Sequence, residues 1–196
     1  MRQPEPVRMT EDGFLEWNPR RDERWESVDR IPVRMMAGTR EGHTVVTANI
    51  VMTIGPQTKK RGCSTMSSGM AVGTRPGGIH YPDMVVNRAP PDRQALTARN
   101  PVVVIEVASD RTRRIDLIDR PNAYRNLDTI RVVMLIEPAS VAVRVHRRDQ
   151  AGVLALERYA ERDAVIDLPE VGAALPVAEV YDTHDPEPRP LLREVG

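Results

Sequence analysis

The stretch NPVVVIEVASDRTRRIDLIDRPNAYRNL, from Asn100 to Leu127, decides the fold. It begins with an apolar, β-branched run from Val102 to Ile105, which is typical of a strand buried in a sheet core. Glu106 continues this run, although a carboxylate is costly to bury unless something pairs with it. The remainder has the pattern of a helix, and Arg120 and Pro121 fall inside it. The stretch therefore predicts a central strand that ends in an acid, followed by a helix.

The composition indicates a globular protein with one core. The chain has 196 residues, of which 40% are hydrophobic, and its formal net charge is zero. This length fits one domain. The neutral charge provides no overall basic field for nucleic acid, so such binding would need a local patch. Cys63 is the single cysteine, which excludes an intrachain disulfide and a thiolate zinc site. With no apolar run of membrane-spanning length, we expect a cytoplasmic protein that does not contact membranes.

The first part of the chain predicts two helices and a hairpin. Thr10 can cap a short helix, EDGFLEW, that Pro19 ends. The segments RWESVD and IPVRMM predict a hairpin closed near Asp29-Arg30. Apolar spacing predicts a longer helix from Arg40 to about Ile54, ending at Gly55-Pro56.

The rest of the chain predicts strands around the central one. CSTMSS, MAVGTR and IHYPDMVV each have the pattern of a strand, with a turn at Pro76-Gly77-Gly78 before the third. IRVVMLIEP, VAVRVHRR and VLALERYA predict a β-meander, and LPVAEVY predicts a last helical turn. We expect a disordered lead at residues 1–8, one domain at 9–182 and a disordered tail at 183–196. The predicted fold class is α+β, a mixed β-sheet flanked by helices.

Two carboxylates stand out because each lies at the edge of an apolar strand. Asp83 precedes MVV, and Glu106 ends the central strand. One loop separates the two strands, so they can be neighbours in the sheet. Two carboxylates held together repel each other or share a cation, and a hard ion such as Mg²⁺ suits them. The alternatives are that Asp83 caps a turn and that Glu106 pairs with one of the arginines in 111–114.

The segments YPDMVV, VVVIEVAS and RTRRIDLIDRPNAYRNL resemble the Uma family of the PD-(D/E)XK nuclease superfamily. MTEDGFLEW, RWESVDRIPVRMM, REGH and DAVIDLPEVGAALPVAEVY extend the resemblance over about Met9 to Tyr181. It implies a restriction-endonuclease-like core with an N-terminal helix and hairpin and a C-terminal β-meander. It further implies that Asp83, Glu106 and the Val107 carbonyl hold Mg²⁺ or Mn²⁺, and that Glu26 assists. The implied activity is metal-dependent hydrolysis of DNA, and many relatives in the superfamily act as homodimers.

The sequence departs from the family pattern on both sides of the central strand. Arg30 stands where the family's hairpin turn has a glycine, which would relax a positive φ. Asp116 and Tyr124 match a family pattern of aspartate, lysine and tyrosine, but Arg120 takes the place of the lysine. Arginine can donate to a phosphoryl oxygen, yet it cannot accept a proton. Pro121 predicts a helix that either begins near it or is broken there, and Gly69 stands where the family often has an aspartate. The alternative function is therefore an inactive nuclease fold that binds nucleic acid or another protein.

Two histidines and one basic segment are weaker candidates. His43 resembles a family histidine at the head of the long helix, but a lone histidine is more often structural. His80 precedes the strand of Asp83, and the sequence leaves its direction open. The basic segment Lys59 to Arg61, like the cluster from Arg111 to Arg114, could follow a DNA backbone, although such runs are usually solvated loops.

Overall fold

The computed structural model describes residues 7–35, 40–109 and 121–186. Most of the predicted lead and tail, together with Asp116 and Arg120, therefore lies outside the described residues. Among the described residues, no helix has the length and apolar character needed to cross a membrane. The helical elements are α1 (Glu11–Trp17), a 3-10 turn (Asn18–Arg20), α2 (Glu41–Lys59), α3 at residues 121–125 and α4 (Val177–Val180).

A six-stranded mixed sheet forms the centre of the fold, with strand order β10-β9-β8-β7-β6-β3. Only its β7–β8 pair is parallel, and the others are antiparallel. A four-stranded sheet has the order β2-β1-β5-β4, and β11 pairs with β12. The strands are β1 (Trp25–Val28), β2 (Ile31–Arg34), β3 (Ser64–Ser67), β4 (Val72–Thr74), β5 (Gly78–His80), β6 (Met84–Asn87), β7 (Pro101–Val107), β8 (Val132–Glu137), β9 (Ala142–Arg148), β10 (Leu154–Tyr159), β11 (Val165–Leu168) and β12 (Ala173–Pro176). The predicted α+β class is confirmed.

Strand β7 is the centre of the core, as its β-branched run predicts. All seven of its residues are buried. On one face of the sheet, Ile105 belongs to a cluster with Val46 and Ile50 of α2. On the other face, Val104 belongs to a cluster with Tyr124 of α3. Each face of β7 therefore packs against a different helix, which brings the start of α2 and the described part of α3 toward the end of this strand.

The turn of the first hairpin has the strain that its sequence predicts. Asp29 has φ 50° and Arg30 has φ 71°, so both central residues take the left-handed conformation. Such a turn matches the twist of a two-residue hairpin, but it favours glycine over arginine. The register Val28 opposite Ile31 confirms the predicted hairpin.

The predicted end of α2 is wrong, because the helix continues through Gly55 and Pro56 to Lys59. Gln57 explains why the last turn persists. Its side-chain amide donates to the carbonyl of Ala174 at 2.8 Å and accepts from the N–H of Ala174 at 2.9 Å. These bonds to β12 hold the turn in place and offset the hydrogen bond that proline removes from the helix.

The segment IHYPDMVV is not one strand but parts of two, which lie in different sheets. Strand β5 ends at His80, and β6 begins at Met84. Pro82 has no N–H to donate to a ladder, and the N–H of Tyr81 donates to the carboxylate of Glu26 instead of to a strand. The chain therefore changes sheets here, and Asp83 lies at the change.

Candidate active site

Asp83 and Glu106 lie next to each other at the end of two paired strands. In the antiparallel register of β6 and β7, Met84 is opposite Ile105. Continuing this register by one residue places Asp83 opposite Glu106. The N–H of Val107 donates to Oδ2 of Asp83 at 2.8 Å. The backbone of the second strand thus holds the first acid beside the second one, as the sequence predicted that neighbouring strands could do.

Glu106 is a buried carboxylate with a specific partner. The residue is 6% exposed, and the hydroxyl of Tyr124 donates to its Oε1 at 2.9 Å. Tyr124 lies on α3 and is itself fully buried. A hydrogen bond from a buried hydroxyl stabilises a carboxylate that the low-dielectric interior would otherwise disfavour. The tyrosine of the family pattern therefore has a direct contact with the candidate metal ligand.

Glu26 joins the site from the other sheet. It is 6% exposed, and its Oε1 accepts the N–H of Tyr81 at 3.0 Å. Its Oε2 lies 3.7 Å from Nδ1 of His80. The ring of His80 meets the ring of Tyr124 edge to face, with centroids 5.7 Å apart. A continuous set of contacts therefore connects Glu26 to Glu106 through one histidine and one tyrosine.

The two histidines that were weak candidates both contact acids of the site. Nε2 of His43, in the first turn of α2, lies 3.4 Å from Oδ2 of Asp83. His80 is buried beside Glu26. The sequence could not show either contact, because each pair comes from elements that only the packing of α2 and of the two sheets brings together. The signals in the sequence were the resemblance of His43 to a family histidine at the head of the long helix and the position of His80 before the strand of Asp83.

The oxygen donors at this site suit a hard divalent cation. Within residues 7–35, 40–109 and 121–186, no three His, Cys, Asp or Glu side chains form a metal-binding group. Mg²⁺ nevertheless binds proteins through one or two carboxylates, with water and substrate phosphates completing its shell. Asp83 and Glu106 fit that requirement. The N–H of Val107 contacts Asp83. The metal-binding role predicted for the carbonyl of Val107 stays a prediction.

Of the other predicted residues, the basic segment lies away from the acids, Gly69 lies beside them and Arg120 is outside the described chain. The basic segment Lys59 to Arg61 is at the far end of α2, which has 19 residues and is about 28 Å long. His43 is near the other end of the helix, so this segment is not beside the acids. Gly69 lies in the turn after β3 with φ 132°, and the N–H of the preceding Ser68 donates to the carbonyl of Asp83 at 3.0 Å. Arg120 belongs to the part of the chain that the structure does not describe.

Comparisons with known proteins show the family of this chain and its fold. A family model with the description "Putative restriction endonuclease" matches residues 12–178. The chain is also similar to a crystal structure from Anabaena variabilis, titled as that of "a putative nuclease", with 19% identity and a TM-score of 0.68. The match covers 89% of this chain and 98% of that one, and it shows a shared fold. No curated protein matches the chain.

Proposed function

Because the chain belongs to the Uma2 family of restriction-endonuclease-like proteins, we propose that it is a divalent-metal-dependent endonuclease that hydrolyses DNA phosphodiester bonds. One observation carries the proposal. Asp83 immediately precedes β6 and lies opposite Glu106 of β7 when the register of these paired strands is continued by one residue, and the N–H of Val107 donates to Asp83. The family match accounts for the nuclease-like fold, and the acidic pair supports metal-assisted hydrolysis by that fold.

Asp83 and Glu106 are the residues that would hold Mg²⁺ or Mn²⁺. A bound ion of this kind lowers the pKa of water and neutralises charge on a phosphoryl group. The protein's own part is to keep both carboxylates in place. The N–H of Val107 does this for Asp83, and the hydroxyl of Tyr124 does it for Glu106. Neither acid therefore has to be ordered when substrate arrives.

Glu26 and Arg120 take supporting roles in this proposal. Glu26 reaches the site through its contact with His80, which packs on Tyr124. Arg120 would donate to a phosphoryl oxygen and stabilise its negative charge. Because arginine stays protonated, it cannot serve as the base that activates water. We therefore expect slower cleavage than a lysine at this position would support.

Nicking of supercoiled plasmid DNA in Mn²⁺ tests the proposal. The wild-type protein is expected to nick, and Asp83→Ala and Glu106→Ala are expected not to. Asp92→Ala is the matched control, since Asp92 is an exposed loop carboxylate that pairs with Arg99. Cleavage that persists in Asp83→Ala contradicts the proposed site. The expected homodimer is tested by sedimentation of the same preparations.

The departures from the family pattern favour one alternative, a catalytically inactive protein that binds nucleic acid or another protein. Arg120 replaces the lysine, and the neighbouring Pro121 begins the described part of α3. The variant Arg120→Lys distinguishes an active endonuclease from an inactive binding protein. Stronger nicking in this variant supports an enzyme limited by one residue. Absence of nicking in both proteins, with retained DNA binding that weakens steeply in salt, supports the alternative.

A further inference from the structure

An open pocket of about 240 Å³ lies next to the acidic site. Trp25 and Tyr81 form part of its wall, and Arg21 and Arg24 line it as well. Trp25 immediately precedes Glu26 on β1, and the N–H of Tyr81 donates to the carboxylate of Glu26. The pocket and the candidate active site therefore share a wall made of neighbouring residues.

The pocket has positive charge available for an anion. Glu23 also lines it, but Oε1 of Glu23 lies 2.9 Å from Nη2 of Arg34. Among the residues that the structure describes, no carboxylate forms an ion pair with Arg21 or Arg24. The guanidinium of Arg21 is 4.7 Å from the ring centroid of Trp17, which holds that cation at the rim. Two arginines near an aromatic wall suit a ligand in which a phosphate is linked to a planar aromatic group.

The aromatic wall is held together by Asn18. Its Nδ2 donates to the hydroxyl oxygen of Tyr81 at 3.0 Å and to the carbonyl of Trp25 at 3.3 Å. Trp25 also packs edge to face against Trp17, with centroids 5.4 Å apart. These contacts order the wall before any ligand binds, so little rotamer entropy remains to be lost on binding. A preformed aromatic surface beside cations is the arrangement that binds unstacked bases.

We propose that this pocket binds one unpaired nucleotide of the substrate strand, beside the phosphate to be cut. The base contacts Trp25 and Tyr81, and its phosphate contacts Arg21 and Arg24. A volume of about 240 Å³ is on the scale of one base, and enzymes that take a nucleotide out of the stack bind it in such a site. This inference rests on the proposed nuclease function and adds its substrate class, a strand with an unpaired nucleotide.

Binding of a fluorescein-labelled single-stranded oligonucleotide, measured by anisotropy in Ca²⁺ with cleavage monitored in parallel, tests the pocket. Arg24→Ala and Arg21→Ala are each expected to raise Kd about tenfold and to reduce the salt slope by about 0.7. Arg20→Ala is the matched control, because Arg20 is exposed in the adjacent 3-10 turn and does not line the pocket. It is expected to change Kd less than about twofold, since the pocket's phosphate contacts remain.

Repeating the binding measurements with a blunt duplex of identical sequence distinguishes contacts to the base from contacts to the phosphate. The wild type is expected to prefer the single strand, and Trp25→Leu is expected to remove that preference. Equal losses for single strand and duplex overturn the inference, as does an Arg24→Ala protein that binds like wild type. Because binding is measured apart from catalysis, a protein that binds but never cuts contradicts only the nuclease proposal. Arg24 is exposed, so its variant keeps the test valid if Trp25→Leu fails to fold.

Discussion

The hydroxyl of Tyr124 donates a 2.9 Å hydrogen bond to Oε1 of Glu106, and both residues are buried. This bond joins α3 to the end of the central strand β7. The ring of Tyr124 also meets His80, which lies beside Glu26. Tyr124 therefore connects α3 both to β7 of the six-stranded sheet and to β5 of the four-stranded sheet. Removing its hydroxyl tests how much the site depends on this position.

Tyr124→Phe is expected to lower the free energy of unfolding by about 1.5–3 kcal/mol, because Glu106 loses a buried hydrogen bond to its charged carboxylate. Urea denaturation measures this loss. Cleavage in Mn²⁺ is expected to slow as well, since the carboxylate is less well positioned. Tyr159→Phe is the matched control, because the Tyr159 hydroxyl donates to Glu157 at 2.9 Å on a partly exposed strand. An equal loss of stability in both variants would argue against a special role for Tyr124.

Asp83→Asn is expected to weaken Mn²⁺ binding by roughly tenfold or more, because carboxylate charge sets the affinity of an oxygen-ligand site. The asparagine keeps an oxygen that can accept the N–H of Val107, so the fold is expected to remain. Isothermal titration calorimetry measures the affinity, and circular dichroism checks the fold. Asp92→Asn is expected to leave Mn²⁺ binding unchanged. Unaltered Mn²⁺ affinity in Asp83→Asn would contradict the proposal that Asp83 is a metal ligand.

Arg148→Met is expected to destabilise the protein by about 2–4 kcal/mol, because several buried carbonyls lose their donor. The Arg148 side chain is buried and donates to the carbonyls of Arg125 at 2.7 Å, Ile130 at 2.9 Å and Gly152 at 2.8 Å. Arg125 follows Tyr124, so the loss also loosens the helix that carries the tyrosine. Urea denaturation measures the effect.

Arg144→Met is the control for Arg148, because Arg144 lies on the same strand β9. Within the described residues its side chain makes no hydrogen bond, so we expect a change below about 0.5 kcal/mol. Arg148→Lys is expected to recover only part of the stability, since one ammonium cannot reproduce the planar fork of a guanidinium. Full recovery by lysine would show that charge alone matters at this position.

Glu157→Gln is expected to destabilise the protein at pH 7 but not at low pH. The hydrogen bond from Arg147 holds the pKa of Glu157 below its ordinary value of 4.5. A carboxyl whose pKa is lowered by folding adds stability above the unfolded-state pKa and loses it as the pH falls through the folded-state pKa. The stability difference between wild type and variant is therefore full at pH 7 and shrinks below about pH 4.5. Urea denaturation across this range measures it, and a pH-independent difference would contradict the ion pair as its cause.

Much of the fold was predictable from local pattern. The β-branched run in β7, the Thr10 cap of α1, the strained turn at Asp29 and Arg30 and the C-terminal meander are all confirmed. Each depends on neighbours in sequence, because propensity, capping and turn geometry are local effects. The end of α2 was missed since Gln57 finds its partner Ala174 far along the chain. No local rule could foresee that bond.

The candidate site was likewise predictable in part from local sequence and in part only from the tertiary structure. The sequence by itself determined that Asp83 and Glu106 each lie at the edge of an apolar strand and that Tyr124 follows on a helix. Only the tertiary structure decided that His43 lies beside Asp83, that His80 lies beside Glu26, and that the chain changes sheets at Pro82. The physical reason is that strand and helix periods are set by adjacent residues, whereas these contacts depend on how α2 and two sheets pack around β7.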